Sequence, residues 1–182
     1  MSLTPVQKIE IDLVERAKTD EKAFKELYDY YFARIYGYVI KRVNYREMTE
    51  DIVSETFMKA FVNLNKYQYR GVSFGAWLYR IASNLIVDHY RQSKKIIESS
   101  MEELLEMPSN SNTEILANTG FDQVQVNKLL DQLDDFERNI IELKFYAQLS
   151  NIEIGDIAEL NPNNVGVIIY RVLKKLKKFA NN

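Results

Sequence analysis

The chain has 182 residues, of which 46% are hydrophobic and 27% charged, with no cysteine, one histidine and a formal net charge of −2. This balance fits one globular domain or two small ones; it excludes a disulfide framework and a thiolate metal centre, and a single histidine leaves too few ligands for zinc. No apolar run approaches the ~18 residues of a membrane span and no signal-peptide pattern opens the chain, so a cytoplasmic protein without membrane insertion is expected.

Thr4-Pro5 reads as a helix cap followed by proline in the first turn, after which Ile9, Leu13 and Ala17 recur at helical spacing. Asp20 caps a second helix with apolar positions Phe24, Leu27, Tyr28, Tyr31, Ile35, Tyr38, Val39 and Val43. A third helix is predicted from about Met48 to Asn65. Its Val53, Phe57, Ala60 and Leu64 form a core seam, and Asp51, Glu55, Met58 and Val62 line the opposite side. That half-acidic, half-apolar stripe is either a protein-docking surface or a face covered by a neighbouring helix.

The segment Asn63–Gly71 interleaves Tyr67 and Tyr69 with Lys66 and Arg70. Rings among cations suit unpaired bases, because the rings stack and the cations hold phosphates. The alternative is that the tyrosines, with Trp77 at the edge of the same surface, close the core. Ser73 caps a fourth helix to about Gln92, with Leu78, Ile81, Ala82, Leu85 and Ile86 inward and Arg80, Asn84, Val87, Asp88 and Arg91 outward. Asn84 and Arg91 suit base edges or phosphates, and Asp88 is placed either to orient one of them or to cap a contact inside the fold.

Serine, asparagine and Pro108 then mark a linker, within which Ser100 and Glu103 can form a capping box. Helices follow at about Phe121–Leu133, Asp135–Ala147, Ser150–Glu159 and Pro162–Phe179. Ser150-Asn-Ile-Glu153 is a capping box, and Asn161-Pro162 caps and starts the last helix. There Val165, Ile169, Val172, Leu176 and Phe179 share a seam, opposite Asn163, Val167, Tyr170, Arg171, Lys174 and Lys178. Two helices joined by a tight turn, the second basic outside, form a helix-turn-helix. Its second helix fits a DNA major groove, with Arg171, Lys174, Lys175, Lys177 and Lys178 available to phosphates; the plainer reading is a helical hairpin with a solubilising lysine tail.

The charge is unevenly placed. Lys59–Lys95 carries seven bases against Asp88, a net of +6; Ile96–Glu137 carries ten acids against Lys128, a net of −9; and Val165 onward carries five bases and no acid. Two basic segments thus flank an acidic one, as two phosphate-binding surfaces would. The fold class expected is all-α: two small helical domains, 1–93 and 120–182, joined by a flexible acidic linker, 94–119.

The stretches Glu50–Phe61, Phe74–Arg91, Leu133–Phe145 and Ser150–Leu176 together resemble bacterial alternative sigma factors of the extracytoplasmic-function family, over about Asp12 to Ala180. The first two are similar to that family's sigma-two domain and the last two to its sigma-four domain. The resemblance implies a non-enzymatic protein without cofactor, metal or catalytic residue, which binds core RNA polymerase and directs initiation at specific promoters. It implies docking of Asp51, Glu55, Met58 and Val62 on the β′ clamp helices, with a further contact to the β subunit. Recognition and opening of the minus-ten element would fall to Asn63, Lys66, Tyr67, Tyr69, Arg70, Trp77, Arg80, Asn84, Asp88 and Arg91. Reading of the minus-thirty-five duplex would fall to Asn163, Asn164, Val167, Tyr170, Arg171, Lys174, Lys175 and Lys178. An anti-sigma partner, a monomeric free state and a linker threading the polymerase cleft are also implied; as a physical object the linker is equally a solvated tether.

The sequence departs from the family in two places. Glu159 stands where the family has its turn glycine, so a side chain must bear any left-handed conformation there and the turn geometry is in question. Gly166-Val167-Ile168 replaces a Lys-Ser-Arg-like run, which removes basic base contacts. Gly166 costs about 1 kcal/mol of helix propensity but allows close backbone approach to DNA, and Val167 offers contact to a thymine methyl. Two other readings compete: a free-standing helix-turn-helix regulator, and a decoy that holds polymerase without reading promoters. If the −9 segment competes with DNA for the basic surfaces, deleting Glu98–Glu106 is expected to tighten nonspecific duplex binding at low salt in fluorescence anisotropy; unchanged affinity would rule out masking.

Overall fold

The computed structural model describes residues 3–99, 126 and 128–180, with the backbone alone for 93–99. The chain divides into two compact units, Met1–Ser111 and Asn112–Asn182. All regular elements of the described residues are helical. Most of the expected linker, the Ser100–Glu103 capping box and the start of the expected helix at Phe121 lie outside the described residues.

The first unit holds α1 (Pro5–Ala17), α2 (Glu21–Val43), α3 (Arg46–Asn63) and α4 (Phe74–Ser99). Local chemistry sets each start. The Thr4 hydroxyl accepts from Gln7 N–H, while the Gln7 side chain accepts from Thr4 N–H, a complete capping box. Asp20 accepts from Lys22 N–H, and the Ser73 hydroxyl from Ala76 N–H. Asn44 ends α2 in the left-handed conformation at φ 52°, a role asparagine fills at low cost. Helix α3 ends two residues earlier than expected and tightens into a 3₁₀ turn at Leu64–Lys66, which buries Leu64. Helix α4 continues past the expected Gln92.

The core follows the seams. Leu27, Ile35, Tyr38 and Val39 of α2 are buried with Val53, Phe57 and Ala60 of α3 and Leu78, Ala82, Leu85 and Ile86 of α4; Ile81 is only half-buried. Each fully buried aliphatic side chain contributes about 1.5–3 kcal/mol. Thr49 and Thr56, buried among them, donate to the carbonyls of Tyr45 and Ile52 one turn back. Ile9, at helical spacing on α1, is instead exposed; Val14 and Ala17 provide the contact of that helix with the core.

The second unit holds α5 (Asp135–Ile141), α6 (Asn151–Ala158) and α7 (Pro162–Ala180). Residues 126 and 128–130 are helical ahead of them. Helix α5 runs on into a wider turn at Glu142–Tyr146, where Ala147 N–H donates to the Glu142 carbonyl five residues back. Ile140, Leu143, Ile154, Val165 and Val172 are buried at the centre. Of the seam expected on α7, Val165, Ile169 and Val172 are buried, Leu176 is half-buried and Phe179 is exposed among the described residues.

One buried contact ties three helices of the first unit. The Tyr31 hydroxyl of α2 donates to Glu10 of α1, whose Oε1 also accepts from Gly75 N–H of α4 at 3.4 Å. Burial first, and the Glu10 carboxylate second, push the Tyr31 phenol far above its ordinary range. An unfolded tyrosine ionises near pH 10 while Tyr31 in the fold stays protonated, so this contribution is intact below about pH 10 and is lost as pH rises, at roughly 1.4 kcal/mol per unit. Urea unfolding followed by emission of Trp77, the single tryptophan, is expected to show that alkaline loss in the wild type. Tyr31→Phe should be less stable at pH 8 by about 1 kcal/mol but flatter above pH 10; equal slopes would remove Tyr31 as the cause.

Candidate nucleic-acid interface

On α3 the seam of Val53, Phe57 and Ala60 turns the opposite stripe outward: Asp51 and Glu55 are exposed, and Met58 and Val62 are 63% and 70% exposed. No described helix of the unit covers them. Glu55 pairs with Lys59 at 2.9 Å, an exposed contact of little energetic weight. Phe61, half-exposed beside Met58 and Val62, widens the apolar part; the i, i+3, i+4 spacing of these three residues is the pattern that marks it in the sequence. Its ring packs edge-on against Phe24 of α2 at 4.9 Å, so it is held and not loose.

The loop between α3 and α4 splits its aromatic residues between two roles. Tyr67 is only 8% exposed. Its ring lies 5.5 Å from Phe74 and 5.2 Å from Trp77, and its hydroxyl donates to the Val72 carbonyl at 3.0 Å. The structure thus places Tyr67 in the core, and Trp77, half-buried, joins it there. Tyr69 is half-exposed and stands 3.4 Å from the Gln7 amide of α1. Arg70 is exposed and donates to Gln68 at 3.0 Å, and Lys66 is exposed and donates to Asn63 at 3.1 Å. The cations and one ring face outward; the second ring anchors.

On α4, Arg80, Asn84, Val87, Asp88 and Arg91 are all exposed along one face. Arg91 pairs with Asp88 at 3.4 Å, the orienting contact expected from their spacing. His89 is half-buried.

In the second unit the helix-turn-helix has its expected caps. The Ser150 hydroxyl accepts from Glu153 N–H while Glu153 accepts from Ser150 N–H, and Asn161 accepts from Asn163 N–H at 2.9 Å. Glu159 adopts the left-handed conformation at φ 56°, so the turn keeps the shape a glycine would favour and carries the steric cost of a side chain. The glycine that the turn requires is Gly155, which no local pattern in the sequence singles out. A Cβ there would lie 2.6 Å from the Leu160 carbonyl oxygen, and the Gly155 carbonyl accepts from Leu160 N–H at 2.8 Å.

The outer face of α7 presents Asn163, Asn164, Val167, Tyr170, Arg171, Lys174 and Lys178, all exposed, with Tyr170 at 68%. Gly166 is turned inward: a Cβ there would meet the Asn151 amide nitrogen of α6 at 3.4 Å. Lys175 differs from its neighbours, since it pairs with Glu137 of α5 at 2.6 Å with both side chains partly buried. Lys144, whose ammonium donates to the Leu149 carbonyl and to Asn151, braces the start of α6. The described residues contain no cluster able to hold a metal and no helix long and apolar enough to cross a membrane.

The described residues thus form a four-helix unit with an exposed acidic–apolar stripe on α3 and a polar α4 face bearing Arg80 and Arg91, followed by a helix-turn-helix unit. The Sigma-70 region 2 family model matches residues 27–96. The chain is 31% identical over 170 residues to the ECF RNA polymerase sigma factor SigW of Bacillus subtilis, covering 88% of this chain and 90% of that one. It is 33% identical over 178 residues to the ECF RNA polymerase sigma factor BldN of Streptomyces coelicolor, covering 92% of this chain but spanning only 64% of that relative's length. Among solved structures, the sigma factor RpoE of Bartonella quintana, determined with the anti-sigma factor NepR, superposes with a TM-score of 0.73 at 19% identity, covering 88% of this chain and 98% of that one; this likeness is one of fold. The chain belongs to the ECF family of RNA polymerase sigma factors.

The Glu137 pair sets Lys175 apart from Lys174 and Lys178, whose side chains are exposed. Removing one phosphate-neutralising cation lowers the slope of log affinity against log salt by about 0.9. Lys174→Gln and Lys178→Gln are each expected to do so for duplex DNA, and Lys175→Gln to leave the slope unchanged. A slope change for Lys175→Gln equal to theirs would show that DNA displaces Glu137.

Proposed function

We propose that this chain is a promoter-specificity subunit of RNA polymerase, acting within the holoenzyme to recognise and open promoter DNA. The observation that carries this reading is the near end-to-end match to an ECF sigma factor, with both units in order. In this reading Asp51, Glu55, Met58 and Val62 dock on the β′ clamp helices, where the apolar half desolvates and the carboxylates set register against cations. The Asn63–Gly71 loop, through Lys66, Tyr69 and Arg70, takes the minus-ten strand, while Tyr67 and Trp77 support the loop from beneath. Arg80, Asn84, Asp88 and Arg91 hold the adjacent DNA. Helix α7 enters the minus-thirty-five major groove with Asn163, Asn164, Val167 and Tyr170 toward bases and Arg171, Lys174 and Lys178 toward phosphates. Lys175 is reassigned to the Glu137 contact, and Gly166 to the packing of α7 on α6.

No catalytic step is assigned to the chain. Unstacking a base costs a few kcal/mol, which binding contacts offset. In the free state an anti-sigma partner is proposed to cover the exposed apolar residues of the docking stripe. The domain division proposed is 1–93 for polymerase docking and the minus-ten element, 94–119 as linker, and 120–182 for the minus-thirty-five element.

The deciding experiment is transcription in vitro with cognate core polymerase and genomic fragments. Protein-dependent start sites are expected, and Asp51→Arg with Glu55→Arg is expected to abolish them and polymerase pull-down together while leaving helicity intact. Polymerase binding without new starts would favour a decoy, and duplex binding without polymerase binding a free-standing regulator.

A further inference from the structure

The loop between α3 and α4 carries an internal closure. Its first residue, Tyr67, has its ring fixed between Phe74 and Trp77. Its hydroxyl reaches across the loop to the Val72 carbonyl at 3.0 Å. One residue before that carbonyl stands Gly71, the only positive-φ glycine among the described residues, at φ 86°. A Cβ at Gly71 would meet no atom within 4 Å, so glycine is needed there for its backbone conformation and not for space. Between the two pinned ends project Gln68, Tyr69 and Arg70, with Arg70 tied to Gln68 and Tyr69 next to Gln7 of α1.

We propose that the Tyr67 hydroxyl and Gly71 are positioning residues: the Tyr67–Val72 hydrogen bond and the left-handed Gly71 clasp the loop in a preset shape that presents Tyr69 and Arg70 to single-stranded DNA. The inference rests on the proposed minus-ten role of the loop and deepens it. A loop that is already shaped loses less conformational entropy on binding, and each released backbone position would subtract from affinity. Tyr67 thereby serves the site without touching the nucleic acid. Its ring satisfies the core and its hydroxyl satisfies the loop, a division open to tyrosine and closed to phenylalanine.

The test uses holoenzyme assembled with the full chain. The probe is a short non-template oligonucleotide from a promoter located by mapping the 5′ ends of protein-dependent transcripts. Tyr67→Phe, which keeps the ring, and Gly71→Val, which forbids the left-handed conformation in an open region, are each expected to weaken oligonucleotide binding about five-fold. Gly71→Asn, which tolerates positive φ, should stay within about two-fold of wild type. Affinity for core polymerase and Trp77 emission are expected to hold, which separates an opened clasp from unfolding. If Tyr69→Ala with Arg70→Ala abolishes binding while Tyr67→Phe and Gly71→Val leave it unchanged, the clasp is overturned and the minus-ten reading stands. If the Tyr69 and Arg70 variant also binds normally, the loop reading falls and the clasp with it.

Discussion

The ring of Tyr31 lies so close to the start of α4 that a Cβ on Gly75 would stand 2.8 Å from it. Around this approach are gathered Phe74, at 5.7 Å between ring centroids, and beyond it Tyr67 and Trp77. The Tyr31 hydroxyl is satisfied by Glu10, which also receives Gly75 N–H. Packing, hydrogen bonding and the absence of one side chain therefore converge where α1, α2, the loop and α4 meet. The outward face of α4 and the exposed part of the loop both take their positions from this junction. A buried phenol left without Glu10 would carry the desolvation cost of an unmet donor, about 1–3 kcal/mol. The junction therefore also fixes α1, a helix whose outer residues Val6 and Ile9 remain exposed.

The second unit solves a similar problem with different parts. A helix-turn-helix needs its turn to fold back on the first helix, and here Gly155 supplies the clearance while Glu159 supplies the left-handed residue. Glycine is the usual choice at the left-handed position. This chain instead places its glycine at the close contact with the Leu160 carbonyl and accepts a side chain at φ 56°. Asn161 and Pro162 then start α7 at once, so this helix leaves a turn with little freedom.

Periodicity and caps carried most of the fold in the sequence: Thr4, Asp20, Ser73, Ser150 and Asn161 all cap as their residue types dictate. The seams of α3 and α4 were legible for the same reason, since burial selects residues at 3.6-residue spacing. What stayed hidden depends on long-range contacts. Whether Tyr67 or Tyr69 turns inward cannot be read from two tyrosines of like spacing in a loop, and it is decided by the aromatic pocket at Phe74 and Trp77. Lys175 looks like any member of a lysine run until the fold brings Glu137, 38 residues away in sequence, beside it. The exposure of Phe179 among the described residues was hidden because a pattern shows which side is apolar, not how much of it is covered.

The proposed division of labour also follows from charge. The whole chain carries a net charge of −2, so its attraction to DNA rests on the local basic faces and not on the total, and each face offers only a handful of cations. A few phosphate contacts give weak, salt-sensitive binding. Joining two such faces in one chain raises affinity only if both can engage at once, and the effective concentration a tether supplies falls as it lengthens. A partner that holds both faces at a set separation removes that entropic cost. The exposed, apolar and acidic stripe on α3 is the feature on the first unit suited to such a partner, because it carries no cation-rich surface for DNA and leaves Met58, Phe61 and Val62 in water. Under the proposed function, a few cations on each basic face and an exposed stripe that a protein partner can cover are consistent with a specificity subunit whose DNA reading depends on that partner.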